Sequence, residues 1–274
     1  MKIKKVLNNN TVIVVDGKIE KIAMGAGVGF NKRKGDSIPA VQIEKVFVMA
    51  EEKERFQELL QTLPLSHIDV AEEIISYAER MLGVPLNSHI HIALTDHLSF
   101  AIERIEKGFV VENKLINEIK ALYPKEYQIG VWAKSLIQEK LGVLIPEDEI
   151  GHIALHIHTA KEPLNSMQTT VRQATILKEI IEIIEKRFQK TINHDSIAYQ
   201  RLTSHVRFAL QVKEAHHAHD MDDDMFELIK KKYEQAYACS VTIKEYLQNE
   251  YGVVFPESEL AYITLHIQSI YREL

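Results

Sequence analysis

The sequence has a single cysteine, Cys239, among its 274 residues, which excludes an internal disulfide and every multi-cysteine zinc site. With no motif around it, Cys239 reads as a small buried apolar side chain. Long apolar runs are missing too. No stretch approaches the roughly 18 uncharged apolar residues of a membrane span. Met1-Lys2-Ile3-Lys4-Lys5 runs into Asn8-Asn9-Asn10, where a signal peptide needs its apolar segment. The expectation is a cytoplasmic chain with no membrane insertion. There is no Gly-x-Ser-x-Gly elbow, and Gly25-Ala26-Gly27-Val28-Gly29 leads into Phe30-Asn31-Lys32-Arg33-Lys34 rather than into a helix, so a phosphate loop is weakly supported. The chain therefore reads as a non-enzyme without a cofactor.

What is present is an ordinary globular composition, 46% apolar and 26% charged, long enough for about two domains. The net charge of −6 argues against a nucleic-acid partner until it is divided along the chain. Residues 1–50 carry eight lysines and one arginine against Asp16, Glu20, Asp36 and Glu44, a net +5, which leaves −11 to the remainder. A small basic head on a large acidic body points to the head alone as the part that meets a polyanion.

The head reads as a four-strand antiparallel meander. Lys2 to Leu7, the β-branched run Thr11 to Val15, the alternating Lys18 to Met24 and Ile43 to Met49 are separated by Asn8-Asn9-Asn10, Asp16-Gly17 and the glycine-rich loop. Its core is small, so stabilisation by dimerisation is expected. From Glu51 the period changes from two to 3.6. Ile68 to Leu82 forms one amphipathic stripe, Ile90 to Ile105 a second that Asn87 caps, and Leu115 to Tyr123 and Gln128 to Leu141 follow. Glu147, Asp148 and Glu149 sit at the positive end of a further helix.

The helical part repeats itself. Leu94-Thr95-Asp96-His97-Leu98-Ser99-Phe100 returns as Leu202-Thr203-Ser204-His205-Val206-Arg207-Phe208, and Gly142 to Ile157 returns as Gly252 to Ile267. The body is thus two copies of one all-α bundle, joined near Lys161-Glu162-Pro163-Leu164-Asn165-Ser166. Each copy keeps two histidines in register, His97 and His156 in the first, His205 and His266 in the second. A single such histidine reads first as a satisfied helix residue; recurrence of both members brings a functional reading level with it. Metal ligation is the rival chemistry. His89 with His91, His152 with His156 and His216 to His219 are locally rich, but none completes a site and no metal is expected. An imidazole near neutral pH can itself accept a phosphoryl group.

His89 to His97, Leu122-Tyr123-Pro124-Lys125-Glu126-Tyr127-Gln128-Ile129 and Ile153-Ala154-Leu155-His156-Ile157-His158 resemble the BglG/SacY family of transcriptional antiterminators, most closely its glucose-phosphotransferase branch. The resemblance covers the whole chain. It implies a co-antiterminator RNA-binding domain at 1–55 and phosphotransferase regulation domains at 62–166 and 170–274. It also implies a homodimer that binds a hairpin in leader mRNA and blocks terminator formation upstream of a sugar permease gene. His97 and His156 correspond to histidines phosphorylated by the EIIB component of a sugar permease, His205 and His266 to those served by the phosphocarrier HPr. Lys5, Asn10, Gly25 and Phe30 match positions that contact RNA in relatives, whereas Ala26 departs from members with an arginine there. Asn31, Lys32 and Arg33 add an amide and cations beside Phe30, the mixture suited to unpaired bases, although Phe30 alone reads first as core. A DNA-binding activator with the same regulatory domains is the alternative; its helical head is not what the alternation of residues 1–50 describes.

Overall fold

The computed structural model describes residues 1–8, 11–16, 19–25, 27–43, 45–47, 62–161, 166–211, 222–255 and 257–273. They form two compact units, one of residues 1–112 and 125–165, the other of 113–124 and 166–274. Asn10, Ala26, the Glu51 to Leu60 connection, the Pro163 linker and the His216 to His219 tract lie outside the described residues.

In the first unit, β1 (Lys2–Asn8), β2 (Thr11–Asp16), β3 (Ile19–Met24) and β4 (Lys45–Phe47) pair antiparallel in the order β1-β2-β3-β4. Successive side chains of a strand face opposite ways, and both faces of β2 are buried. One face gathers Ile3, Val12, Val14, Ala23, Val28 and Ile38. The other presents Ile13, Ile22 and Met24, with Leu7, to Ile68 of α1 (Leu65–Leu82) and Ile92 of α2 (Ile90–Glu106). The head thus rests one apolar face on the helices that follow it, an arrangement that its own composition did not announce.

Around that contact, α1 and α2 pack with α4 (Pro124–Leu141) and α5 (Glu147–Lys161) through Ala71, Ile74, Ile75, Leu94, Leu98, Ile102, Ile129, Ala133, Ile137, Ile153 and Ile157. Tyr77 stacks on Trp132 at 3.8 Å between centroids. Two helix starts differ from expectation. Helix α4 begins four residues early, at Pro124, because a proline at the first helical position has no amide to lose. Asn87 does not cap α2 itself; its Oδ1 accepts the His89 amide at 3.0 Å, shaping the turn before Ile90.

The second unit contains α3 (Ile116–Leu122), α6 (Met167–Phe188), α7 (Ile197–Gln211), α8 (Asp223–Lys232), α9 (Glu234–Tyr251) and α10 (Glu257–Glu273). Ser166 caps α6 by accepting the Thr169 amide. Helix α3 seats on α6 and α7: the Arg207 guanidinium donates to the Leu122 carbonyl at 3.0 Å, and the Tyr123 hydroxyl lies 3.0 Å from Gln173 Oε1. Cys239 is fully buried, and burial pushes its thiol up to about 11, so it packs as an apolar residue. No described helix is long and apolar enough to cross a membrane.

Candidate regulatory sites and the nucleic-acid loop

The first repeat assembles its site from α2 and α5. His97 donates from Nε2 to Glu149 Oε2 at 3.1 Å, and the Arg104 guanidinium holds the other oxygen of the same carboxylate. Glu149 is almost wholly buried, at 1% exposure of its side chain. Burial alone would raise its pKa, but the His97 hydrogen bond and the charges of His97, His152 and Arg104 outweigh burial and lower it. The His156 ring sits 4.9 Å from that of His97, with His152 at 5.5 Å. Burial, then the neighbouring His97, His152 and His89, pull His156 down to about 3, so at neutral pH its ring carries a free lone pair.

The second repeat reproduces the arrangement on α7 and α10. His205 donates from Nε2 to Glu259 Oε2 at 2.6 Å, and its ring lies 5.2 Å from that of His266. Burial, followed by His205 and Arg201, brings His266 down to about 4. The structure thus brings together each pair that the duplication singled out. The two glutamates escaped the sequence reading, which saw Glu149 only as a favourable charge at a helix start. The available signal was the repeat itself, where Pro-Glu-x-Glu recurs at 146–149 and 256–259. Other histidines have structural partners: His91 lies 2.7 Å from buried Glu72, His158 3.1 Å from Glu126, and His67 2.9 Å from Ser99. Among the described residues no group of three His, Cys, Asp or Glu side chains is placed to hold a metal ion.

In the head, Phe30 stands 59% exposed, which sets aside the core reading. Its loop is a run of turns: Phe30 N–H donates to Gly27 O at 3.0 Å and Lys32 N–H to Gly29 O at 3.2 Å, while Val28 is buried beneath them. Asn31 takes a φ of 54°, and Asn31, Arg33 and Lys34 are exposed with Lys32 partly so. Lys5 is exposed on β1. Gly25 is buried, and a side-chain carbon there would overlap the Gln42 carbonyl oxygen. A Gly25→Ala substitution should therefore displace the loop against fixed backbone and destabilise the head by about 1–3 kcal/mol. Hydrogen exchange of the β2 and β3 amides checks this; wild-type protection would mean that the loop yields freely.

The profile of the CAT RNA binding domain matches residues 1–56, and that of the PRD domain matches 72–160 and 178–270. Along its whole length the chain is 39% identical to the transcription antiterminator LicT of Bacillus subtilis (strain 168), covering 100% of each. It is 37% identical to the beta-glucoside operon antiterminator of Dickeya chrysanthemi, covering 100% of this chain and 98% of that one. Against the GlcA/glcB genes antiterminator of Staphylococcus carnosus (strain TM300) the figures are 33%, 97% and 94%. The crystal structure of GlcT CAT-PRDI superposes with a TM-score of 0.55 at 42% identity, covering 58% of this chain and 97% of that one. A sheet-built RNA-binding head followed by two homologous helical PRD domains defines a transcription regulator that works through RNA. The chain belongs to the BglG/SacY family of transcription antiterminators.

Proposed function

We propose that the protein, as a homodimer in the cytoplasm, binds a hairpin in leader mRNA through Lys5, Asn10, Gly25, Phe30, Asn31, Lys32 and Arg33, and prevents terminator formation upstream of a sugar permease gene. Its domains are the head at 1–55 and the repeats at 62–166 and 170–274. His97 and His156 accept phosphoryl groups from the permease EIIB component, and His205 and His266 accept them from HPr. It catalyses no reaction of its own. The observation that carries this reading is the pair of matched clusters, each with one histidine held by a buried glutamate and a second kept neutral about 5 Å away. In the transfer, the bond from phosphorus to the donor's atom breaks and leaves its electron pair there. A new P–N bond forms to the lone pair of the neutral imidazole.

A phosphoryl group brings about −1.5 to −2 charges. On His97 or His156 it would face Glu149 and compete for Arg104, opening the clasp between α2 and α5. Helix α2 also carries Ile92 under the sheet, so movement of α2 reaches the head's resting face. Glucose is supported as the signal by the GlcA/glcB antiterminator and by 42% identity to GlcT CAT-PRDI. The 37% match to the beta-glucoside operon antiterminator supports a β-glucoside as the second reading.

The test is binding of the full chain to leader hairpins from both kinds of operon, against the same sequence as DNA duplex. RNA-selective binding that weakens steeply with salt is expected, with Phe30→Ala weakening it about tenfold or more through lost base stacking. Equal affinity for the duplex would remove the antiterminator mechanism.

A further inference from the structure

The two histidine clusters match in shape and differ in charge. In the second repeat a cavity of about 700 Å³ opens over the pair, lined among others by Gln200, Arg201, Ser204, Tyr262 and both histidines. Arg201 precedes His205 by one helical turn, so the two share a face of α7. It is exposed, and among the described residues it makes no ion pair. The repeat alignment puts Ala93 at the place of Arg201 and Asp96 at that of Ser204. The first site thus has a methyl group where the second has a guanidinium, and a carboxylate where it has a hydroxyl. The first site's own cation, Arg104, is already committed to Glu149. Its counterpart in the second repeat is the uncharged Val212.

We propose that Arg201, with the Ser204 hydroxyl beside it, forms an oxyanion-holding site in the second repeat that retains a phosphoryl group carried on His205 or His266. The inference rests on reading those histidines as phosphoryl acceptors. A guanidinium offers five donors in a planar fork that suits phosphate oxygens, and among the described residues Arg201 has no ion-pair partner to leave. In the first repeat the same dianion meets Glu149, as it meets Glu259 in the second, but gains a cation only by taking Arg104 from a buried carboxylate. The second repeat therefore holds its mark, and the first sheds its mark readily. Two copies of one domain report two signals of different persistence.

Full-length protein would be held at constant phosphoramidate until occupancies stop changing, and phosphate at each of the four histidines counted by mass spectrometry at alkaline pH. Arg201→Ala is expected to lower the combined occupancy of His205 and His266 about tenfold relative to His97 and His156 in the same molecules, the scale of one charge-assisted contact. Arg201→Lys should recover much of it, and Ala93→Arg should raise occupancy in the first repeat. An unchanged ratio in Arg201→Ala overturns the proposal and leaves the acceptor reading in place. Wild-type protein with no phosphate on either His205 or His266 overturns both.

Discussion

Replacing Glu149 by alanine is expected to destabilise the first unit by about 3–5 kcal/mol, the usual consequence of removing one partner from a buried charged cluster. The carboxylate accepts from His97 at 3.1 Å and from Arg104 through its second oxygen, and its side chain is only 1% exposed. Deletion leaves a guanidinium without its acceptor in a place that water barely reaches. Glu149→Gln keeps the shape and one acceptor oxygen while losing the charge, so its effect should be smaller, about 1–3 kcal/mol. Trp132 is the only tryptophan of the chain and stacks on Tyr77 within this unit, so its fluorescence reports urea unfolding of that unit. Glu259→Ala, read by the near-UV circular dichroism of the tyrosines, should cost the second unit less, because among the described residues Glu259 is ion-paired to His205 alone, with no arginine on its second oxygen. Equal losses at the two glutamates would show that Arg104 adds nothing to the clasp. No loss at either would remove it as a structural element.

Much of this organisation is legible in the sequence. Strand alternation and the turn at Asp16-Gly17 placed the sheet, the 3.6 period placed the helices, and recurrence placed four histidines in two equivalent pairs. These are local or repeated signals, and each survives without knowledge of packing. The sequence was silent where a contact joins distant segments. Glu149 follows His97 by 52 residues, and a glutamate in the first turn of a helix has an adequate local reason to be there. The fusion of the Ile13, Ile22 and Met24 face to Ile68 and Ile92 was hidden for the same reason, since each residue already had a role as the inward face of its own element. Phe30 points two ways: taken alone it reads first as core, the resemblance places it among RNA-contacting positions, and the turns around Gly27 and Gly29 hold it outward.

The asymmetry of the repeats has the same character. Both copies keep two imidazoles and a glutamate that orients one of them. They differ in charge and size around that core: Arg104 against Val212, Ala93 against Arg201, Asp96 against Ser204 and His152 against Tyr262. Duplication preserves the paired imidazoles and their glutamate, while these four positions change what surrounds them.

On acidification from pH 7 to 5 the first unit is expected to lose about 2 kcal/mol, well before any carboxylate titrates. His156 is drawn down to about 3 in the folded chain by burial and then by its histidine neighbours, against 6.5 when unfolded. Below pH 6.5 the unfolded chain takes up this proton and the folded chain does not. Stability therefore falls as pH drops, by about 1.4 kcal/mol for each unit, until the folded value is reached. His266, drawn down to about 4, imposes the same slope on the second unit over a shorter range. A second loss follows below about 4.5 as Glu126, held near 2 against its burial by His158 and Lys161, gives up the stability its ionised form supplies. Trp132-monitored urea midpoints across pH 7 to 3 should show both limbs. His156→Gln should flatten the upper limb and leave the lower one. A wild-type midpoint that stays level between pH 7 and 5 would mean that solvent reaches the His156 ring and protonates it normally. In that case the imidazole would lose its lone pair in mild acid, whereas the half-buried ring described here keeps it throughout the physiological range.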